Sequence, residues 1–262
     1  MSDLLLPNGL RLHVQSDGPP DGPPLVLAHG LGMDLHIWDA VLPFLPGGLR
    51  VIRYDLRGHG QSDCPAPPYS MGAMVRDAEQ MLEHLNLRDC VFTGLGLGGM
   101  VAQGLAVKRL DLVRALVLSG TAAKLGRPEG WHARAQQVQT SGMPAIADEV
   151  MARWFSRANL TSGMSDAVRK CLLAMSPDGY GAGCSAIAGT DFYTPTSGLR
   201  LPALGLAGTE DRATPPDLQR ETLQLIPGAQ FRLLRRAGHL PCVDQPQEFA
   251  QAVAAFLRDI GH

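Results

Sequence analysis

Three stretches of the chain carry residues suited to acyl-transfer chemistry: Gly94-Leu95-Gly96-Leu97-Gly98, the loop holding Asp211, and the loop holding His239. The first lies within Val91 to Val101, which reads as a short buried strand, a glycine-dense turn and the opening of a helix that continues through Gln103 toward Lys108. Such a strand-to-helix corner, packed around with small residues, is where acyl-transfer enzymes hold a nucleophile on a strained backbone. Position 96, where that nucleophile would stand, is glycine and has no atom to attack a carbonyl. Asp211 follows an apolar run, Ala203 to Ala207, in a loop from which a carboxylate can orient an imidazole. His239, in Ala237-Gly238-His239-Leu240-Pro241, is the natural general base. Taken singly, a loop histidine is usually a hydrogen-bonded surface residue and a loop aspartate a cap. Their order, each following a strand, is what gives them weight, because ligands bind at the carboxyl ends of parallel strands. Nearby hydroxyls and thiols do not replace the nucleophile: Thr93 sits inside its strand, Ser119 closes another, and Cys64 lies in a loop.

A fourth stretch, His29-Gly30-Leu31-Gly32, follows the apolar run Leu25 to Ala28. A His-Gly turn at that place matches a loop that offers a backbone N–H, here that of Leu31, to a developing oxyanion. An ordinary strand exit is an equal reading of the turn alone. Downstream, Asp55-Leu56-Arg57-Gly58-His59-Gly60 is a polar, glycine-punctuated loop in which Asp55 and Arg57 are expected to pair and His59 to brace the backbone.

The elements that must position these residues follow from the apolar pattern. Leu4 to Leu6 and Leu10 to Val14 flank Pro7-Asn8-Gly9 as a hairpin, since Asn-Gly tolerates the positive φ of a tight turn. Short apolar runs bounded by breakers, Leu25 to Ala28, Val91 to Leu95, Ala115 to Ser119 and Ala203 to Ala207, read as buried strands, with Leu49 to Tyr54 and Phe231 to Leu234 as further strands. Between them, helical spacing predicts helices over Ser70 to Leu85, with Ser70 as N-cap, over Pro215 to Leu225, and over Pro246 to Arg258. The alternation argues for an α/β protein with a parallel sheet covered on both faces. From Lys124 to Thr196 the pattern changes to helix-like segments broken by glycine and proline, read as a helical cap (124–196) inserted in a core formed by 1–123 and 197–262.

Composition narrows the class of function. A chain of 262 residues, 45% hydrophobic, can bury one large core. Net charge of −2, with 23 basic and 25 acidic residues interspersed, offers no field for nucleic acid or an anionic membrane. A small-molecule substrate is the expected partner, with monomer and homo-oligomer both open. The five cysteines are odd in number and lack metal-ligand spacing, so neither a disulfide framework nor a metal is expected, and no cofactor is called for. No cationic leader or membrane-length apolar run is evident, which points to a cytoplasmic protein.

Over nearly its whole length the chain resembles 3-oxoadipate enol-lactonases, members of the α/β-hydrolase superfamily. The resemblance rests on Leu31 to Leu35 with Trp38-Asp39, on Arg53 to Gly60, and on the corner through Gln103. It extends to Thr121 to Gly126, Trp131 to Arg134, Arg153-Trp154-Phe155, Asp178 to Tyr180, Cys184 to Ile187 and the loops of Asp211 and His239. It implies an α/β-hydrolase fold with an eight-stranded, mostly parallel sheet and hydrolysis of a small carboxylated enol-lactone. For a serine-bearing form it implies attack by the hydroxyl at position 96, proton transfer to His239, orientation by Asp211, and oxyanion binding by the amides of Leu31 and Leu97. Lys124 and Arg134 are candidate partners for the substrate carboxylate, with His29, Trp131 and Trp154 as further contacts. Helical arginines are more often solvated, and helical-period aromatics more often the cap's own core.

The chain departs from the family at His29, where another polar residue is expected, and at Gly96. Three readings of Gly96 follow: a replacement introduced to trap a ligand, a natural enzyme in which His239 and Asp211 activate water or act as an acid–base pair, or a binding protein without catalysis. Glycine is comfortable at a corner that strains any other residue, so the fold is expected to be intact.

Overall fold

The computed structural model describes residues 2–160, 163 and 165–262. β1 (Ser2–Leu5) and β2 (Arg11–Asp17) form the antiparallel hairpin, with Gly9 at φ +81° in its turn. β3 (Pro24–Ala28) leads through two 3₁₀ turns, Leu35–Trp38 and Leu42–Phe44, to β4 (Arg50–Tyr54). Then come α1 (Met71–His84), β5 (Cys90–Leu95), α2 (Leu97–Lys108) and β6 (Val113–Ser119). Among the described residues six helices intervene before the next strand: α3 (Pro128–Ser141), α4 (Pro144–Trp154), α5 (Arg157–Leu160), α6 (Asp166–Ala174), α7 (Pro177–Ala188) and α8 (Tyr193–Ser197). The chain finishes as β7 (Ala203–Gly208), α9 (Pro216–Gln224), β8 (Gln230–Leu234), α10 (Pro241–Asp244) and α11 (Pro246–Asp259).

The strands make one eight-stranded sheet in the order β1-β2-β4-β3-β5-β6-β7-β8, in which β2 pairs antiparallel with both neighbours and every pairing from β4 to β8 is parallel. β5 lies at its centre and is buried along its whole length, as a strand covered on both faces must be. Close approach of α2 to the sheet depends on glycine: a Cβ at Gly98 would lie 2.4 Å from the Ala28 carbonyl oxygen, and one at Gly99 2.4 Å from the Thr121 methyl. These two positions pin the helix against the ends of β3 and β6, and so fix where residue 96 sits.

Capping and amphipathicity set the outer helices. Ser70 Oγ accepts the Ala73 N–H at the start of α1, whose Met74, Ala78, Met81 and Leu82 are buried. In α11, Phe249, Val253, Phe256 and Leu257 are buried, and Phe249 meets Trp38 of the first 3₁₀ turn at 6.0 Å between ring centroids.

The expected Asp55–Arg57 pair does not form. Arg57 makes a bidentate pair with Asp77 of α1, at 2.5 and 2.7 Å, while Asp55 accepts the backbone N–H groups of Leu35 and Gln61, each at 2.8 Å. Asp55 thus ties its own loop to the 3₁₀ turn after β3. Two parallel N–H···O bonds to Asp77, itself held by Asn8 at 3.0 Å, give Arg57 a better-matched partner than a residue two positions away.

Candidate active site

Residue 96 follows the last residue of β5 and precedes the first of α2, with φ +52° and ψ −115°, a conformation that glycine adopts without penalty. Four hydrogen bonds hold this peptide: Gly96 N–H donates to Ser119 O at 3.0 Å, and Gly96 O accepts from Thr121 Oγ1 at 2.7 Å, Gly99 N at 3.0 Å and Met100 N at 3.2 Å. A Cβ built on Gly96 would stand 3.6 Å from Gly30 Cα, 3.7 Å from Gly120 O and 3.7 Å from His239 Nε2, all ordinary van der Waals distances. The corner therefore has room for a side chain directed at the imidazole.

His239 is held from three sides. Its Nδ1 lies 3.0 Å from Asp211 Oδ2, its backbone N–H donates to Trp154 O at 2.7 Å, and the Trp154 indole stacks over its ring at 6.4 Å and 19°. Asp211 Oδ1 accepts the N–H groups of Ala213 and Thr214, each at 2.8 Å, and Oδ2 also accepts Gln219 Nε2 at 3.2 Å. A carboxylate saturated with donors leaves Nδ1 of the imidazole to donate, so in the neutral ring the Nε2 lone pair faces position 96. The preceding residue, Gly238, donates its N–H to the buried Asp244 at 2.6 Å, and Asp244 also accepts Asn159 Nδ2 at 2.6 Å.

Gln219 of α9 escaped the sequence reading. Besides its bond to Asp211 it donates to Thr214 O at 2.8 Å and accepts the Gly120 N–H at 2.9 Å, joining the aspartate loop to the end of β6. Helical amides are common and follow no spacing rule, so the only available signal was its place one turn into the helix after the aspartate loop.

Leu31 and Leu97 both line the cavity above Gly96, and among the described residues neither backbone N–H has a hydrogen-bond partner. The turn carrying Leu31 is fastened from below by His29, whose Nδ1 lies 2.8 Å from Gly30 O and whose Nε2 accepts the Leu56 N–H at 3.0 Å. Desolvation pushes the His29 pKa down to about 4, and that of neighbouring His59 to about 3, so both rings are neutral near pH 7. His29 is fully buried and its ring is spent on backbone, not on the cavity.

The cavity has a volume of about 260 Å³. Gly96, Leu97, Leu31 and His239 line it, and Trp131, Arg134, Val150, Trp154 and Tyr180 from the helices between β6 and β7 line it too. Arg127 and Arg153 join Arg134 in the wall, two cations that the sequence reading had not singled out. Lys124 is not a lining residue; it pairs with Asp191 at 3.0 Å. The alternative hydroxyls and thiol are elsewhere: Ser119 donates to Leu206 O at 2.9 Å, Thr93 is wholly buried, and Cys64 is exposed. Among the described residues no group of His, Cys, Asp and Glu is placed to hold a metal ion, and no helix is long and apolar enough to cross a membrane.

This architecture has many counterparts. 3-Oxoadipate enol-lactonase 2 of Acinetobacter baylyi is 30% identical over 258 residues, spanning 98% of this chain and 96% of that protein. Among solved structures, the enol-lactonase from Burkholderia xenovorans LB400 superposes with a TM-score of 0.94 at 33% identity, covering 98% of this chain and 100% of that one. A thermophilic esterase from Thermogutta terrifontis, solved with malate bound, gives a TM-score of 0.93 at 30% identity, covering 100% and 99%. The model of the alpha/beta hydrolase family matches residues 25–252, and the chain belongs to that family.

Proposed function

We propose that the cavity binds a small carboxylated enol-lactone, or a related lactone or ester, and that Gly96 leaves its hydrolysis severely slowed. The observation that carries this reading is the empty place beside His239: a Cβ at residue 96 would fit 3.7 Å from Nε2, and a hydroxyl one bond further on falls within hydrogen-bond reach. The relatives named enol-lactonase and the arginine-lined wall support the substrate class. In a serine form, His239 takes the hydroxyl proton, Asp211 holds the ring, and the free N–H groups of Leu31 and Leu97 receive the oxyanion.

The vacated space supports a second route for the chain as it stands. A water at that place gives its proton to His239 Nε2 and adds to the lactone carbonyl; the acyl C–O bond then breaks, and the departing enol oxygen takes the proton back. Removing a serine nucleophile costs on the order of a million-fold in a well-studied protease, with roughly a thousand-fold over water retained. The expected result is therefore a gain of about a thousand-fold or more on Gly96→Ser, assayed with an enol-lactone and with a simple activated ester. Native-like turnover by the glycine form, abolished by His239→Ala, would favour the water route as the physiological one. Inactivity of both forms alongside tight ligand binding would make this a binding protein on an inherited scaffold.

A further inference from the structure

We propose that the chain as it stands moves a proton at carbon: His239 takes a hydrogen from the carbon next to the carbonyl of a bound enol-lactone and returns it two ring carbons further on, shifting the double bond. The inference rests on the lactone class proposed above and adds a reaction that needs no nucleophile at residue 96.

Proton abstraction beside a carbonyl calls for two parts, a base aimed at the carbon and donors that hold the oxygen as it becomes an enolate. Both are present, with no side chain of residue 96 between them. Nδ1 of His239 lies 3.0 Å from Asp211 Oδ2, which turns the Nε2 lone pair toward residue 96. Leu31 and Leu97 line the same cavity, and among the described residues neither backbone N–H has a hydrogen-bond partner. A Cβ at residue 96 would stand 3.7 Å from Nε2. In a serine form that carbon and its hydroxyl separate the imidazole from the ligand. At Gly96 a ligand carbon in van der Waals contact with the glycine Cα can touch Nε2 as well.

Among the described residues His239 is also the one base in the cavity wall. Arg127, Arg134 and Arg153 are permanent guanidinium cations, and burial pushes the Tyr180 hydroxyl up, so it stays a phenol. The step balances within the ligand, counting the ring oxygen as position 1 and the carbonyl carbon as C2. The C3–H bond breaks, its proton goes to Nε2, and its electron pair forms C2=C3 while the carbonyl becomes an enolate oxygen between the two N–H groups. The carbonyl then re-forms, the C2=C3 pair moves to C3=C4, and the former C4=C5 pair takes the proton from Nε2 at C5. No bond to oxygen breaks and no water is consumed. The double bond ends conjugated with the carbonyl. A general base facing an oxyanion site is the arrangement by which isomerases move protons beside carbonyls.

The test incubates the chain with α-angelica lactone, a plain enol-lactone, in deuterated buffer and follows it by proton NMR. The C3 hydrogens are expected to exchange for deuterium about a thousand-fold or more faster than in buffer alone, as a positioned base and an oxyanion site together supply. The conjugated isomer should accumulate, and exchange should outrun ring opening to 4-oxopentanoate. His239→Gln should slow exchange about a hundred-fold or more. Gly96→Ala, whose added methyl meets no atom closer than 3.6 Å, should slow it about ten-fold or more by standing between ligand and Nε2. Arg88→Gln, at an exposed ion pair with Asp111, should leave it unchanged. No exchange above buffer, or exchange undiminished in both His239→Gln and Gly96→Ala, overturns the proton-transfer inference; ring opening of the same lactone by Gly96→Ser then leaves the hydrolase reading standing. Absence of exchange in this chain together with absence of ring opening by Gly96→Ser overturns both.

Discussion

The Trp154 indole lies nearly parallel to the His239 imidazole, at 6.4 Å and 19°, while the Trp154 carbonyl accepts the His239 N–H at 2.7 Å. One residue of α4 thus sets both the backbone and the ring of His239, the general base of the proposed function, and so couples the helices between β6 and β7 to it. In a Gly96→Ser background, Trp154→Ala keeps the carbonyl but loses the stacking face. Stability should fall by about 3–5 kcal/mol, the usual range for removing a buried Trp side chain, and kcat should fall more than KM rises. Trp154→Phe should recover most of both, read by chemical denaturation and steady-state kinetics.

Gly96→Ser is expected to gain activity and lose stability together. A residue other than glycine at φ +52° and ψ −115° carries about 1–3 kcal/mol of backbone strain, and the added Cβ meets no atom closer than 3.6 Å to add a clash. The unfolding free energies of the two forms should differ by that amount, the denaturant midpoint of the serine form falling while its m-value is unchanged. A serine variant as stable as the glycine form would show that the corner is not strained.

Gln219→Ala should behave as a positioning substitution. It leaves the Gly120 N–H unpaired in the interior and removes one donor from Asp211, which predicts about 1–3 kcal/mol of lost stability. In the serine background it should also displace the pH profile of kcat, because the Asp211–His239 pair loses a neighbour; a loss of stability with the profile unmoved would make Gln219 structural only.

Stability should decline as pH falls from about 6.5 toward 4. The folded pKa of His29 is pushed down to about 4 by burial, and that of His59 to about 3 by burial and then by the nearby His29 charge. Unfolded histidine binds protons near pH 6.5, so through this window the unfolded chain holds more protons and the native state loses ground, by about 3 kcal/mol at most for His29. Asp55 and Asp244, raised by burial, act in the opposite sense, but only in the carboxylate range at the bottom of the window. Thermal midpoints measured across these pH values in wild type and His29→Asn check the sign: the variant should show the shallower slope.

What the sequence disclosed divides by distance along the chain. The hairpin at Asn8-Gly9, the buried strands and the corner at 96 are local in origin, set by apolar runs and glycine placement, and the fold follows them. Two ion pairs between remote elements were not legible. Arg57 takes Asp77 of α1, twenty positions on, and Lys124 takes Asp191, because tertiary packing brings better-aligned carboxylates than the loop itself offers. His29 gave no sign in its neighbours that both ring nitrogens would be consumed by backbone. Nothing in the sequence around Arg127 or Arg153 marks them as cavity residues; the fold gathers them beside Arg134.

The four hydrogen bonds that fasten the peptide at residue 96 all involve main-chain atoms of that residue, and none its side chain. Folding therefore draws no stabilisation from a side chain at this position, and glycine there relieves strain instead of adding it. Natural selection for stability cannot guard a nucleophile in such a place; only selection for turnover can. Under the proposed function, a lineage that stops needing the reaction can drift to glycine without loss of stability, and a single substitution restores the side chain beside His239.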